Sequence, residues 1–145
     1  MILKSITDIP TSVRGKYLSG VYAPLKPLTY LVISDIHLGK KSVPARFLIS
    51  QLDSFFDKLK ETFSSRPIDI VFVAGDLFDQ ALSFTADDVS LILQWARRFF
   101  KFCAYNHIKV RILEGTPSHD RRQTRNLEPL AKSIQHLNFE YISTM

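Results

Sequence analysis

Ile68-Asp69-Ile70-Val71-Phe72-Val73-Ala74 runs directly into Gly75-Asp76-Leu77-Phe78-Asp79. The apolar, β-branched run is short and follows the helix-breaking Ser64–Pro67, so it reads as a strand. Gly75-Asp76 is a turn signal. Two carboxylates therefore sit just beyond the C-terminal end of a strand. The same arrangement occurs on either side. Thr29-Tyr30-Leu31-Val32-Ile33-Ser34 reads as a strand buried on both faces, as in a parallel sheet, and leads into Asp35-Ile36-His37-Leu38-Gly39. Lys109–Leu113 reads as a third strand and leads into Glu114-Gly115-Thr116-Pro117-Ser118-His119-Asp120. Phe139–Ser143 reads as a fourth.

The segments between these strands have helical patterning. Pro44 suits a first helical turn, and Phe47, Leu48, Leu52, Phe55, Phe56, Leu59 and Phe63 follow as an apolar stripe expected to lie in the core. Thr85 with Asp88 resembles a capping box, and Asp87 and Asp88 suit the positive end of a helix dipole. The helix they open runs to about Tyr105, with Val89, Leu93, Ala96, Phe99, Phe100 and Cys103 along one side. Trp95 is read as a core residue with the phenylalanines. Leu127–His136 reads as a third helix. Strands alternating with helices predict a layered α/β fold with a mainly parallel sheet. Ligand sites in such folds lie beyond the C-terminal ends of the strands.

The 145 residues suffice for one domain with its own core, and 46% apolar with 23% charged residues excludes a disordered chain. Cys103 is the single cysteine, which excludes an intrachain disulfide and a cysteine-rich zinc cage and suits a reducing compartment. There is no apolar run of membrane-spanning length, and Met1–Pro10 lacks the pattern of a signal peptide. The expectation is a soluble, cytoplasmic protein. Residues 1–28, punctuated by Pro10, Gly15, Gly20, Pro24 and Pro27, read as a lead-in to a domain over 29–145. The formal charge of +5 permits a polyanionic partner without requiring one.

Each strand end has an ordinary explanation when taken alone. Asp35 can cap a turn, Gly75-Asp76 can be a simple turn, and His119-Asp120 can be an exposed ion pair. Their joint occurrence at three successive strand ends favours a metal site. Carboxylates mixed with imidazoles suit zinc, manganese or iron better than calcium. A carboxylate such as Asp76 can bridge two cations that clamp a phosphoryl group. Gly39, Gly75 and Gly115 would allow close backbone approach. His107 and His136 lie away from these loops.

The three motifs resemble those of the calcineurin-like metallophosphoesterases, which read D-x-H, then G-D-x-x-(D or H), then G-N-H-(D or E), each after a strand. Here they stand as Asp35-x-His37, Gly75-Asp76-Leu77-Phe78-Asp79 and Ser118-His119-Asp120. Within that family, Gly-Asp-Leu-Phe-Asp and Glu-Gly-Thr-Pro-Ser-His-Asp resemble the SbcD-type exonuclease subunit of double-strand-break repair, phage versions included. The resemblance implies the first half of a four-layer metallophosphoesterase sandwich and metal-dependent phosphodiester hydrolysis, expected on DNA. It implies two divalent ions, manganese foremost, with zinc, iron or magnesium as alternatives. Asp35 and His37 would bind the first ion and Asp76 would bridge. His119 would be the catalytic histidine at the scissile phosphate, and Asp79 and Asp120 would support. Ser118 stands where the family has asparagine and would be a poorer ligand to the second ion.

The family completes its metal shell with later G-H and G-H-x-H motifs. This sequence has neither, and only His136 follows His119. The chain is therefore expected to hold the N-terminal part of the domain and to bind metal poorly by itself. Lys40, Lys41, Arg121, Arg122 and Arg125 flank the expected site and are candidates for contact with a nucleic-acid backbone. The resemblance also implies an SMC-like ATPase partner and a possible homodimer. Two other readings stay open: a phosphodiesterase acting on small diesters or nucleotides, and a non-catalytic interaction module.

Overall fold

A computed structural model describes residues 27–80 and 87–143. In chain order the elements are β1 (Tyr30–Ile33), α1 (Ala45–Phe63), β2 (Ile70–Ala74), α2 (Asp87–Tyr105), β3 (Lys109–Leu113), a 3₁₀ turn (Gln123–Asn126), α3 (Leu127–Lys132) and β4 (Phe139–Ile142). The four strands form one parallel sheet in the order β1-β2-β3-β4. The expected α/β fold with a parallel sheet is thus present. Thr85 and most of the 1–28 lead-in lie outside the described residues.

Neighbouring strands that are also consecutive in sequence, joined by right-handed crossovers, place every helix on the same face of the sheet. Burial follows that rule. Val71, Val73, Val110 and Ile112 face the helices and are buried. The alternate residues Tyr30, Val32, Ile70, Phe72, Leu113 and Ile142 share the opposite face in register. Tyr30 is 56% exposed and Val32 is 63% exposed, which corrects the reading of β1 as buried on both faces. Among the described residues, the polar part of that face includes an ion pair, Arg111 Nε to Glu140 Oε2 at 2.9 Å.

The helical stripes are correct in phase but shifted at their edges. On α1 the buried residues are Ala45, Ile49, Leu52, Phe56 and Leu59, whereas Phe47 is 57% exposed. On α2, Ile92 and Trp95 are buried with Val89, Ala96, Phe99, Phe100 and Cys103, and Leu93 lies on the flank. Trp95 stacks on Phe99 with ring centroids 5.1 Å apart, and Phe56 meets both edge-on. Trp95 is a core residue, as its helical position predicts. α3 is shorter than the sequence pattern. It stops at Lys132, where Ser133 Oγ donates to the Leu130 carbonyl at 2.6 Å, and His136 adopts a left-handed conformation (φ 64°) that closes the turn. No helix among the described residues is long and apolar enough to cross a membrane.

Candidate metal centre

The parallel register sets the site. Ile33 pairs with Val73 and Ala74 with Leu113, so the chain leaves β1, β2 and β3 along one edge. The first two loops stay zipped beyond the strands. The His37 amide donates to the Asp76 carbonyl at 3.1 Å, Leu38 to Leu77 at 2.8 Å, and Asp79 to Leu38 at 3.0 Å. Leu38, Leu77 and Phe78 are buried and anchor these loops in the core.

Asp35, His37 and Asp76 all have positive φ, at 54°, 52° and 46°. Non-glycine residues are uncommon there, and such positions persist where the surroundings over-determine them. Gly75 (φ +85°) supplies the turn before Asp76. Gly115 has a different reason to be glycine. A Cβ on it would press into the Asp76 amide nitrogen and lie 2.5 Å from Asp76 Oδ1.

The side chains converge on Asp79. Its Oδ1 lies 2.9 Å from His37 Nδ1 and 3.4 Å from His119 Nδ1. The two imidazoles meet edge-on, with centroids 5.1 Å apart. His37 Nε2 faces the other way, 3.8 Å from Asp35 Oδ1. Two overlapping groups result, Asp35–His37–Asp76 and His37–Asp79–His119, and within each the ligand atoms lie within 4.8 Å of one another. Asp79 thus stands where it can orient both histidines or itself ligate. The donor set is mixed carboxylate oxygen and imidazole nitrogen, which fits a divalent transition metal.

Asp76 is held ready for that role. Its Oδ1 accepts from the Thr116 amide at 2.7 Å and from Thr116 Oγ1 at 3.1 Å. The amide bond is the main force holding its carboxyl below the usual range. Burial opposes, while the Thr116 hydroxyl, His119 and His37 add to the lowering. Asp120 is fully buried and shapes the third loop from beneath. Its carboxylate accepts from the Gly115 amide at 2.9 Å, the Thr124 amide at 3.1 Å and Thr124 Oγ1 at 2.7 Å. Ser118 is exposed, with its hydroxyl 3.3 Å from Thr116 Oγ1.

Lys40 and Lys41 are exposed on the first loop, and Arg121, Arg122 and Arg125 on the third. A cavity of about 440 Å³ opens beside that third loop, lined by Glu114, Arg122, Arg125, Glu128, Tyr141 and Ser143. Within it Ser143 Oγ donates to Glu114 at 2.9 Å, and burial, with Glu114 beside it, pushes the Tyr141 phenol up to about 12. His107 and His136 adopt left-handed turns away from the edge.

Several residues that shape the site carry no signal in the sequence. Thr116 and Thr124 bind the two carboxylates described above, and Gln80 and Gln123 tie the loops together. Apart from Thr124 and Asp120, these partners lie some forty residues apart, so spacing along the chain could not reveal them.

Comparison with curated proteins gives no match. The family model for the calcineurin-like phosphoesterases matches residues 28–138, from just before β1 to just before β4. That match takes in all three motifs and well over half of the 145 residues, and the chain belongs to the calcineurin-like phosphoesterase family.

Proposed function

We propose that this chain is the metal-binding N-terminal part of a DNA-cleaving phosphodiesterase, a nuclease subunit of the SbcD type that works with an SMC-like ATPase and can pair with a second copy of itself. Family membership carries metal-dependent phosphoester hydrolysis as the reaction class. The observation that supports a two-ion centre most directly is the adjacency of two ligand groups, Asp35–His37–Asp76 and His37–Asp79–His119, with Asp76 the carboxylate proposed to bridge. Two ions, with manganese the first candidate, suit that arrangement. Bound divalent ions would withdraw charge from phosphoryl oxygens and make water a nucleophile near neutral pH.

The chain's own residues do the rest. Asp35 and Asp76 present carboxylate oxygens, and His37 presents Nε2 while its Nδ1 is directed at Asp79. His119 is oriented through the same Asp79 oxygen, which leaves its Nε2 to face the scissile phosphate and pass a proton to the departing oxygen. Ser118 follows Thr116 on the same loop and is a candidate weak ligand to the second ion. Lys40, Lys41, Arg121, Arg122 and Arg125 are exposed on the loops that carry the candidate ligands, Arg125 beside Glu128, and offer positive charge to a phosphate backbone.

The test is hydrolysis of a labelled DNA duplex and of bis(p-nitrophenyl) phosphate with Mn²⁺ by the chain reconstituted with a C-terminal part that carries the later G-H and G-H-x-H motifs, comparing wild type with His119→Ala. Circular dichroism checks that both are folded. Cleavage of DNA in preference to the small diester is expected, with a loss of roughly 10²–10⁴-fold in the variant. Undiminished cleavage by His119→Ala removes the role given to His119. Hydrolysis of the small diester alone moves the substrate class, and a reconstituted, metal-loaded protein inert toward both would support an interaction module instead.

A further inference from the structure

We propose that Gln80 and Gln123 are positioning residues of the metal centre, forming an amide relay that spaces its three ligand-bearing loops. This rests on the metal-site reading above. Gln80 Nε2 donates to the Gly39 carbonyl at 2.6 Å, joining the second loop to the first two residues beyond His37. Gln123 Nε2 donates to the Gln80 carbonyl at 2.6 Å, joining the third loop to the second one residue beyond Asp79. The same Nε2 reaches the Asp120 carbonyl at 3.3 Å, and the Gln123 amide donates to that carbonyl at 2.9 Å. A continuous path thus runs from Gly39 through Gln80 and Gln123 to Asp120, beside His119. Both glutamine side chains are half-buried.

Two further ties between the second and third loops, Thr116 to Asp76 and Asp79 to His119, run through ligand atoms. A cation draws on the same lone pairs, so those ties weaken or rearrange as metal enters. The glutamine bonds use only backbone carbonyls and side-chain amides, and they compete with nothing a metal needs. They keep His119 and Asp76 at fixed spacing in the empty and the loaded site alike. Hydrogen-bonded groups outside a metal's direct ligands commonly govern affinity in this way.

The experiment uses the full chain with Co²⁺ as probe, at millimolar metal where the weak binding expected of a site without the later ligands is measurable, read by calorimetry and by the visible absorption spectrum. The variants are Gln80→Met, Gln123→Met and both together, which keep side-chain length and remove the donor. Each single variant is expected to weaken Co²⁺ binding about tenfold and to alter the absorption bands. The double variant should lose little more than either single one, because one path is broken twice. Unchanged affinity and spectrum, with or without a fall in stability, would overturn the relay. Should a variant unfold, the wild-type chain decides: protected Gln123 side-chain amide protons that stay protected on Co²⁺ addition support the relay, and freely exchanging ones refute it. A wild-type chain that binds no Co²⁺ defeats the metal-site reading itself, and the relay with it.

Discussion

Gly115→Ala is the sharpest probe of how this site is built. An added Cβ would press into the Asp76 amide nitrogen and stand 2.5 Å from Asp76 Oδ1 and 2.9 Å from Asp76 Cα. Two of these atoms are backbone, and the third belongs to the carboxylate that the site depends on. Residue 115 cannot retreat easily, because its own amide is held at 2.9 Å by the buried Asp120. The strand register, with Ala74 opposite Leu113, holds the two chains together just before the clash. Overpacking of this kind costs about 1–3 kcal/mol. Separating the loops also strains the Thr116 amide bond to Asp76, of the kind worth roughly 1.5–3 kcal/mol when the acceptor is charged and less at a half-exposed site.

A loss of about 3 kcal/mol in unfolding free energy is therefore expected for Gly115→Ala. Metal affinity should fall with it, because Asp76 is displaced. Gly75→Ala is the control. Its Cβ would meet Gly115 Cα at 3.4 Å, and its main penalty is the positive φ of 85°, about 1–2 kcal/mol. Urea unfolding in the presence of chelator measures the first quantity for both variants, and Co²⁺ titration measures the second. Gly115→Ala should suffer the larger loss of metal binding. A Gly115→Ala chain as stable as wild type and equally able to bind Co²⁺ would refute the close approach on which the argument depends.

Acid should weaken the fold partly through Asp76. Its folded pKa lies below the ordinary value of about 3.9, so its contribution is present above that pH and is lost as pH falls through the folded value. Urea unfolding between about pH 5 and 2 should show a declining limb that is flatter in Asp76→Asn, and an unchanged limb would assign the acid sensitivity elsewhere. Val32→Asp on the open sheet face should change stability by about 0.5 kcal/mol or less, whereas Val71→Asp on the helix-facing side should abolish folding; equal damage from the two, measured by thermal unfolding, would show that the face is covered.

The strands and the order of ligands were legible in the sequence because both are local. Short β-branched runs mark the strands, and the acidic and imidazole residues follow them directly. What each face of a strand meets is not local. β1 has the composition of a fully buried strand, yet its neighbours in the sheet and the hand of the crossovers leave Tyr30 and Val32 open. The stripe on α1 illustrates the same limit, since Phe47 is more apolar than its position requires while Ile49, outside the expected stripe, is buried. Placing the candidate ligand residues at the ends of three strands was possible from pattern alone. The convergence of His37 and His119 on Asp79 was not, because it depends on the two loops meeting across forty residues. That convergence puts Asp79 where it could ligate as well as support the two histidines.

The spacing within the motifs has a mechanical origin that the ligands alone do not explain. Asp35, His37 and Asp76 sit in left-handed conformations, each costing on the order of 1 kcal/mol or more. Interleaved with them are Leu38, Leu77 and Phe78, all buried, and burial of such side chains contributes roughly 1.5–3 kcal/mol apiece. The anchors are thus comparable in size to the strain, offset it, and hold the backbone where it turns each candidate ligand toward the edge. They also explain why the main-chain zipper continues past the strands, since Leu38 and Phe78 pair across it. Enlarging or truncating an anchor should then disturb the metal site without touching a ligand. By this reasoning the residues between the candidate ligands, in Asp-Ile-His-Leu and Asp-Leu-Phe-Asp, do as much to build the site as the residues they separate.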